Sequence, residues 1–135
     1  MLLTLCKAKL HRATVTEANL HYVGSITIDA ALMESAGILP FERVQVVDVA
    51  NGARFETYVV EGAPRSGTIC LNGAAARLVH VGDPVIIIPY AQMTPEEARV
   101  HRPTIVLLKP DNTVLDTLRP ESSAELAGRP DALDA

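Results

Sequence analysis

A glycine-serine pair, Gly24-Ser25, interrupts the apolar run His21-Tyr22-Val23-Gly24-Ser25-Ile26-Thr27-Ile28. Taken alone such a pair marks a turn. A serine hydroxyl that follows a glycine carbonyl can also attack it, moving the acyl group from nitrogen to oxygen and leaving an ester in the main chain. Glycine suits the attacked side because it tolerates a strained turn, and strain weakens the planar amide that must break. Basic residues stand nearby in sequence. Lys9 and His11 are two apart and share one face of a strand. Arg54 offers a planar fork for a carboxylate, and Lys9 adds a second positive charge. Tyr58, four residues after Arg54, shares its face and carries a phenol able to donate a proton. Thr57 between them points the other way in a regular strand, so either a bulge intervenes or Thr57 acts from the opposite side. The small segment Asn72-Gly73-Ala74-Ala75-Ala76 exposes backbone amides that can receive a carboxylate or an oxyanion. It is no P-loop, since the Gly-Lys-Ser/Thr ending is missing.

The elements that must hold these groups are mostly short strands. Strand-like stretches run over residues 3–15, 22–28, 43–49, 54–60, 68–71, 85–90 and 104–108. Asn51-Gly52 predicts a hairpin turn. Val85-Ile86-Ile87-Ile88 does not alternate, which predicts a strand buried on both faces. Two short helices punctuate the strands. Asp29 caps one that ends at Gly37, and Thr94-Pro95-Glu96-Glu97 opens another with a capping box and proline in the first turn. Many short strands and few short helices predict a mainly β protein, a small six-to-seven-stranded β-barrel with decorations.

The chain has 135 residues, of which 48% are hydrophobic and only 4% aromatic, so one core must be built from Val, Ile, Leu and Ala. Net charge is −4 with scattered basic residues, which leaves no footprint for nucleic acid. The apolar start is cut off by Lys7, and no run approaches the roughly 18 residues of a membrane span. A cytoplasmic protein is expected. Cys6 and Cys70 read as buried free thiols, and the four histidines form no metal-ligand spacing, so no metal site is expected. Residues 1–115 read as one domain. Residues 116–135 read as a disordered tail, because the segment from Pro120 carries four acids against one base and little to bury.

Four separated motifs agree with one family. Leu10-His11-Arg12-Ala13-Thr14-Val15-Thr16, Leu20-His21-Tyr22-Val23-Gly24-Ser25, Asn51-Gly52-Ala53-Arg54-Phe55-Glu56-Thr57-Tyr58 and Asn72-Gly73-Ala74-Ala75-Ala76 occur in that order. The ordered set, from Met1 to about Pro103, resembles the pyruvoyl-dependent aspartate decarboxylases. The resemblance implies a double-psi β-barrel, a homotetramer with active sites between subunits, and self-cleavage into residues 1–24 and 25–135. By the same resemblance Ser25 becomes a covalent pyruvoyl cofactor that forms a Schiff base with the substrate. L-aspartate then gives β-alanine and carbon dioxide, feeding pantothenate and coenzyme A synthesis. Tyr58 is then the proton donor, and Lys9, His11, Tyr22, Arg54, Thr57, Asn72, Gly73, Ala74 and Ala75 bind substrate or support the cleavage. The family also implies a possible maturation factor. Two other readings stand beside it: the same chemistry on glutamate or cysteine sulfinate, or a non-enzymatic swapped barrel that only binds.

Overall fold

The computed structural model describes residues 1–127. Ten strands, β1 (Leu3–Cys6), β2 (Ala8–Thr14), β3 (Glu17–Asn19), β4 (Ser25–Asp29), β5 (Arg43–Asp48), β6 (Arg54–Gly62), β7 (Ile69–Asn72), β8 (Pro84–Met93), β9 (Thr104–Leu108) and β10 (Val114–Leu118), form one hydrogen-bonded sheet. Its order is β10-β9-β2-β8-β5-β6-β4-β7-β3, with β1 pairing the far end of β8. The path from β2 to β3 has its two ends joined by only Val15 and Thr16, and the Thr16 amide donates to the Ile69 carbonyl of β7 at 2.9 Å. A sheet whose first and last strands are consecutive in the chain has to curl back on itself. The expected small barrel is therefore the stretch β2-β8-β5-β6-β4-β7-β3, and β1, β9 and β10 extend it.

Alternation along the strands sorts the barrel into two faces. Leu10, Ile26, Ile28, Val44, Val46, Val59, Ile69, Leu71, Val85 and Ile87 are all buried in a single core. Branched aliphatic side chains fill that space because they pack well on a pleated surface. The intervening residues face outward, yet Ile86 and Ile88 are buried as well, as the unbroken apolar run requires. On the outer side of β9, Ile105 and Leu107 form a second small cluster with Leu118 and Leu126.

Both expected α-helices are present. In α1 (Ala30–Ala36) the Asp29 carboxylate caps the helix by accepting from the Ala31 amide, and Gly37 ends it at φ +69°. The same carboxylate accepts from the Arg65 and Gly67 amides, both at 2.9 Å. Burial pushes the Asp29 pKa up, but these backbone donors outweigh it and hold the carboxyl below its usual range. Asp29 thereby ties the far end of β4 to the loop after β6. The second helix, α2 (Pro95–Val100), carries the capping box at Thr94 and Glu97.

Part of the segment expected to be a tail has defined structure. Residues 114–118 pair with β9 as β10, and a short helix α3 (Ser123–Ala127) sets Leu126 on the outer apolar cluster. Exposed strands of this kind carry no periodic apolar signal of their own. Residues 128–135 of the expected tail lie outside the described residues. Among the described residues no helix is long and apolar enough to cross a membrane, and no group of three metal-ligating side chains occurs.

Candidate active site

Ser25 is the first residue of β4, between β7 and β6, and is 2% exposed. It pairs with Asn72 across β7, as Thr27 pairs with Cys70. These four residues occupy the face opposite Ile26, Ile28, Ile69 and Leu71, so they stand outside the core yet are covered. Asn72 Nδ2 donates to Ser25 Oγ at 3.0 Å and to Thr27 Oγ1 at 3.0 Å. The Ser25 hydroxyl donates in turn to the Val23 carbonyl at 3.3 Å. Cys70 Sγ donates to Asn72 Oδ1 at 3.2 Å.

The strained glycine is Gly73 rather than Gly24. Gly24 is absent from the left-handed region, and a Cβ on it would meet only the Asn72 carbonyl at 3.9 Å. Gly73 has φ +68°, and a Cβ there would lie 2.7 Å from Gly24 Cα, 2.9 Å from Gly24 N and 3.1 Å from the Tyr22 carbonyl. The expectation of a strained turn at Gly24 is corrected accordingly: the strand entering Ser25 leaves Gly24 ordinary, while the chain leaving Asn72 must turn sharply beneath it. From Gly73 a single 3₁₀ helix runs to Leu78 and contains Ala74 and Ala75. Tyr22 approaches this cluster with its backbone, its side chain being largely exposed.

Gly73→Ala is expected to displace the 22–24 loop. Forcing a side chain into both the left-handed region and a filled space should cost about 2–4 kcal/mol. A urea midpoint and an intact mass that both match the parent protein would refute this.

The parallel pair β4–β6 runs in the register Ile26↔Val59 and Thr27↔Val60. One residue back, it sets Tyr58 beside Ser25 on the same outer face. The β5–β6 register is continuous from Arg43↔Tyr58 to Val47↔Arg54, with no shift at Thr57. No bulge intervenes, so Thr57 follows Phe55 and Val59 toward the core side and works, if at all, from the opposite face to Tyr58.

Lys9 and Arg54 line a different hollow of about 270 Å³, with Cys6, Val47, Ile86, Ile88 and Tyr90. Arg54 is oriented there by Gln45, whose Oε1 accepts from Arg54 Nη1 at 3.0 Å and from the Tyr90 hydroxyl at 2.8 Å. His11 lies on the same strand as Lys9 but is 2% exposed, paired with Leu107 of β9. Within one chain, then, the candidate residues fall into two groups. Gly24, Ser25, Tyr58, Asn72 and Gly73 come together, and Lys9 and Arg54 come together about 13 Å farther along β6, the rise of four strand residues.

Sequence reasoning missed Cys70, Thr27, Gln45 and Tyr90. The first two were accessible, because Cys70/Asn72 and Ser25/Thr27 are both i,i+2 pairs on strands and so share faces. Gln45 and Tyr90 had no such signal, since their meeting with Arg54 depends on which strands neighbour one another.

Comparison with known proteins gives the family. The family described as aspartate decarboxylase matches residues 1–115. A protein named aspartate 1-decarboxylase from Clostridium beijerinckii is 61% identical over 123 residues, covering 91% of this chain and 99% of its own. Another of the same name from Caldicellulosiruptor saccharolyticus is 59% identical, covering 93% and 98%. Among solved structures, the rationally designed mkDPBB_sym_86 protein aligns with TM-score 0.45 and 20% identity over 58% of this chain and 92% of its own. With a family match over residues 1–115 and near-full-length relatives at this identity, the chain belongs to the aspartate decarboxylase family.

Proposed function

We infer that this chain decarboxylates L-aspartate to β-alanine, and that it does so with a pyruvoyl group made from its own Ser25. Family membership supports the reaction and substrate. The observation that carries the cofactor reading is the buried Ser25 hydroxyl, held by Asn72 Nδ2 next to Gly24, on which Gly73 packs too closely to carry a side chain of its own. These residues fit a group derived from Ser25, because it would start β4 in the same place, with Asn72, Gly73 and Tyr58 around it.

The Ser25 Oγ–Gly24 carbonyl bond forms, the Gly24–Ser25 amide bond breaks, and the hydroxyl proton ends on the Ser25 nitrogen. Water then takes the Ser25 α-proton, the Cβ–Oγ bond breaks, and Oγ leaves with its electron pair as the Gly24 carboxylate. A second water replaces the nitrogen, releasing ammonia and leaving a ketone. Among the described residues, the groups bonded to Ser25 Oγ are an amide donor and a backbone carbonyl, neither of them a useful base. That favours slow cleavage in isolation and acceleration by a maturation factor. Thr57 is proposed to assist from the inner side of the Gly24 carbonyl.

The pyruvoyl carbonyl supplies an electron sink next to the substrate's reacting carbon, which removes the need for a lysine or a soluble cofactor. Arg54 and Lys9 bind the carboxylate that is retained. Tyr58 returns a proton to the carbon that loses carbon dioxide. His11, Tyr22, Ala74 and Ala75 complete the proposed substrate surroundings. Because Arg54 stands far from Ser25 in one chain, we place the Lys9–Arg54 hollow of one subunit over the Ser25–Tyr58 cluster of another. That is the arrangement a homotetramer with sites between subunits provides, and the native mass in solution tests it.

The deciding experiment is an intact-mass spectrum of aged protein. Two pieces, 1–24 and 25–135, are expected, the larger starting with a ketone-bearing group and resisting Edman sequencing. One full-length mass after prolonged warming, with a maturation factor supplied, would remove the pyruvoyl reading.

A further inference from the structure

Asn72 presents two different edges, and the direction in which its amide points decides what Ser25 meets. Nδ2 toward Ser25 Oγ offers a donor, whereas Oδ1 would offer only lone pairs. Ser25 and Thr27 do not settle the choice, because a hydroxyl donates or accepts equally well. The other end of the amide does. Oδ1 faces Cys70 Sγ at 3.2 Å, and a neutral thiol donates more readily than it accepts.

We propose that Cys70 is a positioning residue for the formation of the pyruvoyl group, its thiol proton locking Asn72 with Nδ2 on Ser25 Oγ. The inference rests on the self-cleavage reading above and adds a residue to it. Cys70 is 6% exposed, and burial, then the charge of Glu17, its partner on β3, and a hydrogen bond with that carboxylate push the thiol up to about 11, so Glu17 competes with Asn72 Oδ1, at 3.2 Å, for the one thiol proton. The sulfur therefore keeps its proton across the physiological range. The orientation matters most when the Cβ–Oγ bond breaks. Negative charge then gathers on Oγ, where an amide N–H stabilises it and an amide oxygen would repel it.

The test uses the full-length precursor, purified cold and then warmed, with the 25–135 fragment followed by intact mass. Cys70→Ala removes the donor and leaves a buried Oδ1 without a partner, so cleavage should slow about tenfold. Cys70→Ser restores a donor at the same position and should recover the rate to within about threefold. A second readout is independent of cleavage. In a Ser25→Ala precursor, the Asn72 side-chain amide protons should show nuclear Overhauser contacts to Thr27, lost in Cys70→Ala and kept in Cys70→Ser. Cleavage of Cys70→Ala at the parental rate overturns the proposal, as does a Cys70→Ser protein as slow as the alanine variant. If the parent itself never yields the fragment, the self-cleavage reading fails first and this inference falls with it.

Discussion

Ser25→Ala is expected to yield a full-length chain that neither cleaves nor forms β-alanine. The hydroxyl is at once the attacking group and the source of the ketone, so a single atom removes both steps. The fold should survive. Asn72 Nδ2 keeps its bond to Thr27 when Ser25 Oγ is gone, and Ile26 and Ile28 still fill the core from the next positions. The cost should be about 1 kcal/mol, that of one hydrogen bond. Turnover is expected to fall to background, which a β-alanine assay on mass-verified uncleaved protein checks. Product formed by that protein would mean that the reaction runs without a ketone at this position.

Tyr58→Phe separates making the cofactor from using it. Tyr58 stands beside Ser25 on the outer face, but no hydrogen bond among the described residues ties its hydroxyl to Ser25 or Asn72. Cleavage should proceed normally, while β-alanine formation drops about 10²–10⁴-fold, the range for a lost general acid. Thr57→Val should do the reverse and arrest the precursor, because it removes the hydroxyl proposed to assist at the Gly24 carbonyl and keeps the volume. A gel for cleavage and a product assay for turnover read the two effects apart. Parental turnover in a fully cleaved Tyr58→Phe protein would assign the proton to another group.

Local chemistry made much of this fold legible. The caps at Asp29 and Thr94 and the left-handed Gly37 are written within a few residues, and both helices appear where those residues place them. The double burial of Val85 to Ile88 was also readable, because unbroken apolar runs have no outward side to spare. Strands β3 and β10 were not readable. One is three residues long and the other is largely exposed, and only pairing with β7 and β9 makes them strands. In the candidate site, motif order singled out Ser25, Asn72 and Gly73, which the structure brings together, but strain was assigned to the wrong glycine. Which of two glycines turns sharply depends on the strands that meet there, a tertiary fact. The separation of Lys9 and Arg54 from Ser25 was hidden for the same reason: face follows from spacing, but distance across a sheet follows from strand order.

The placement of the first 24 residues has a consequence for reversibility. They supply β1, β2 and β3, and β2 runs between β8 and β9 in the middle of the sheet. A chain cut before Ser25 would stay assembled, because β2 of the short piece is hydrogen-bonded between two strands of the long one. Once unfolded, however, the two pieces have no covalent reason to meet again. On the self-cleavage reading, folding of the precursor is an event within one molecule, whereas recovery of the cut protein would be an encounter between two, slower at every dilution. On that reading the shape would be acquired once, before the cut, and would afterwards persist only as long as the barrel never opens.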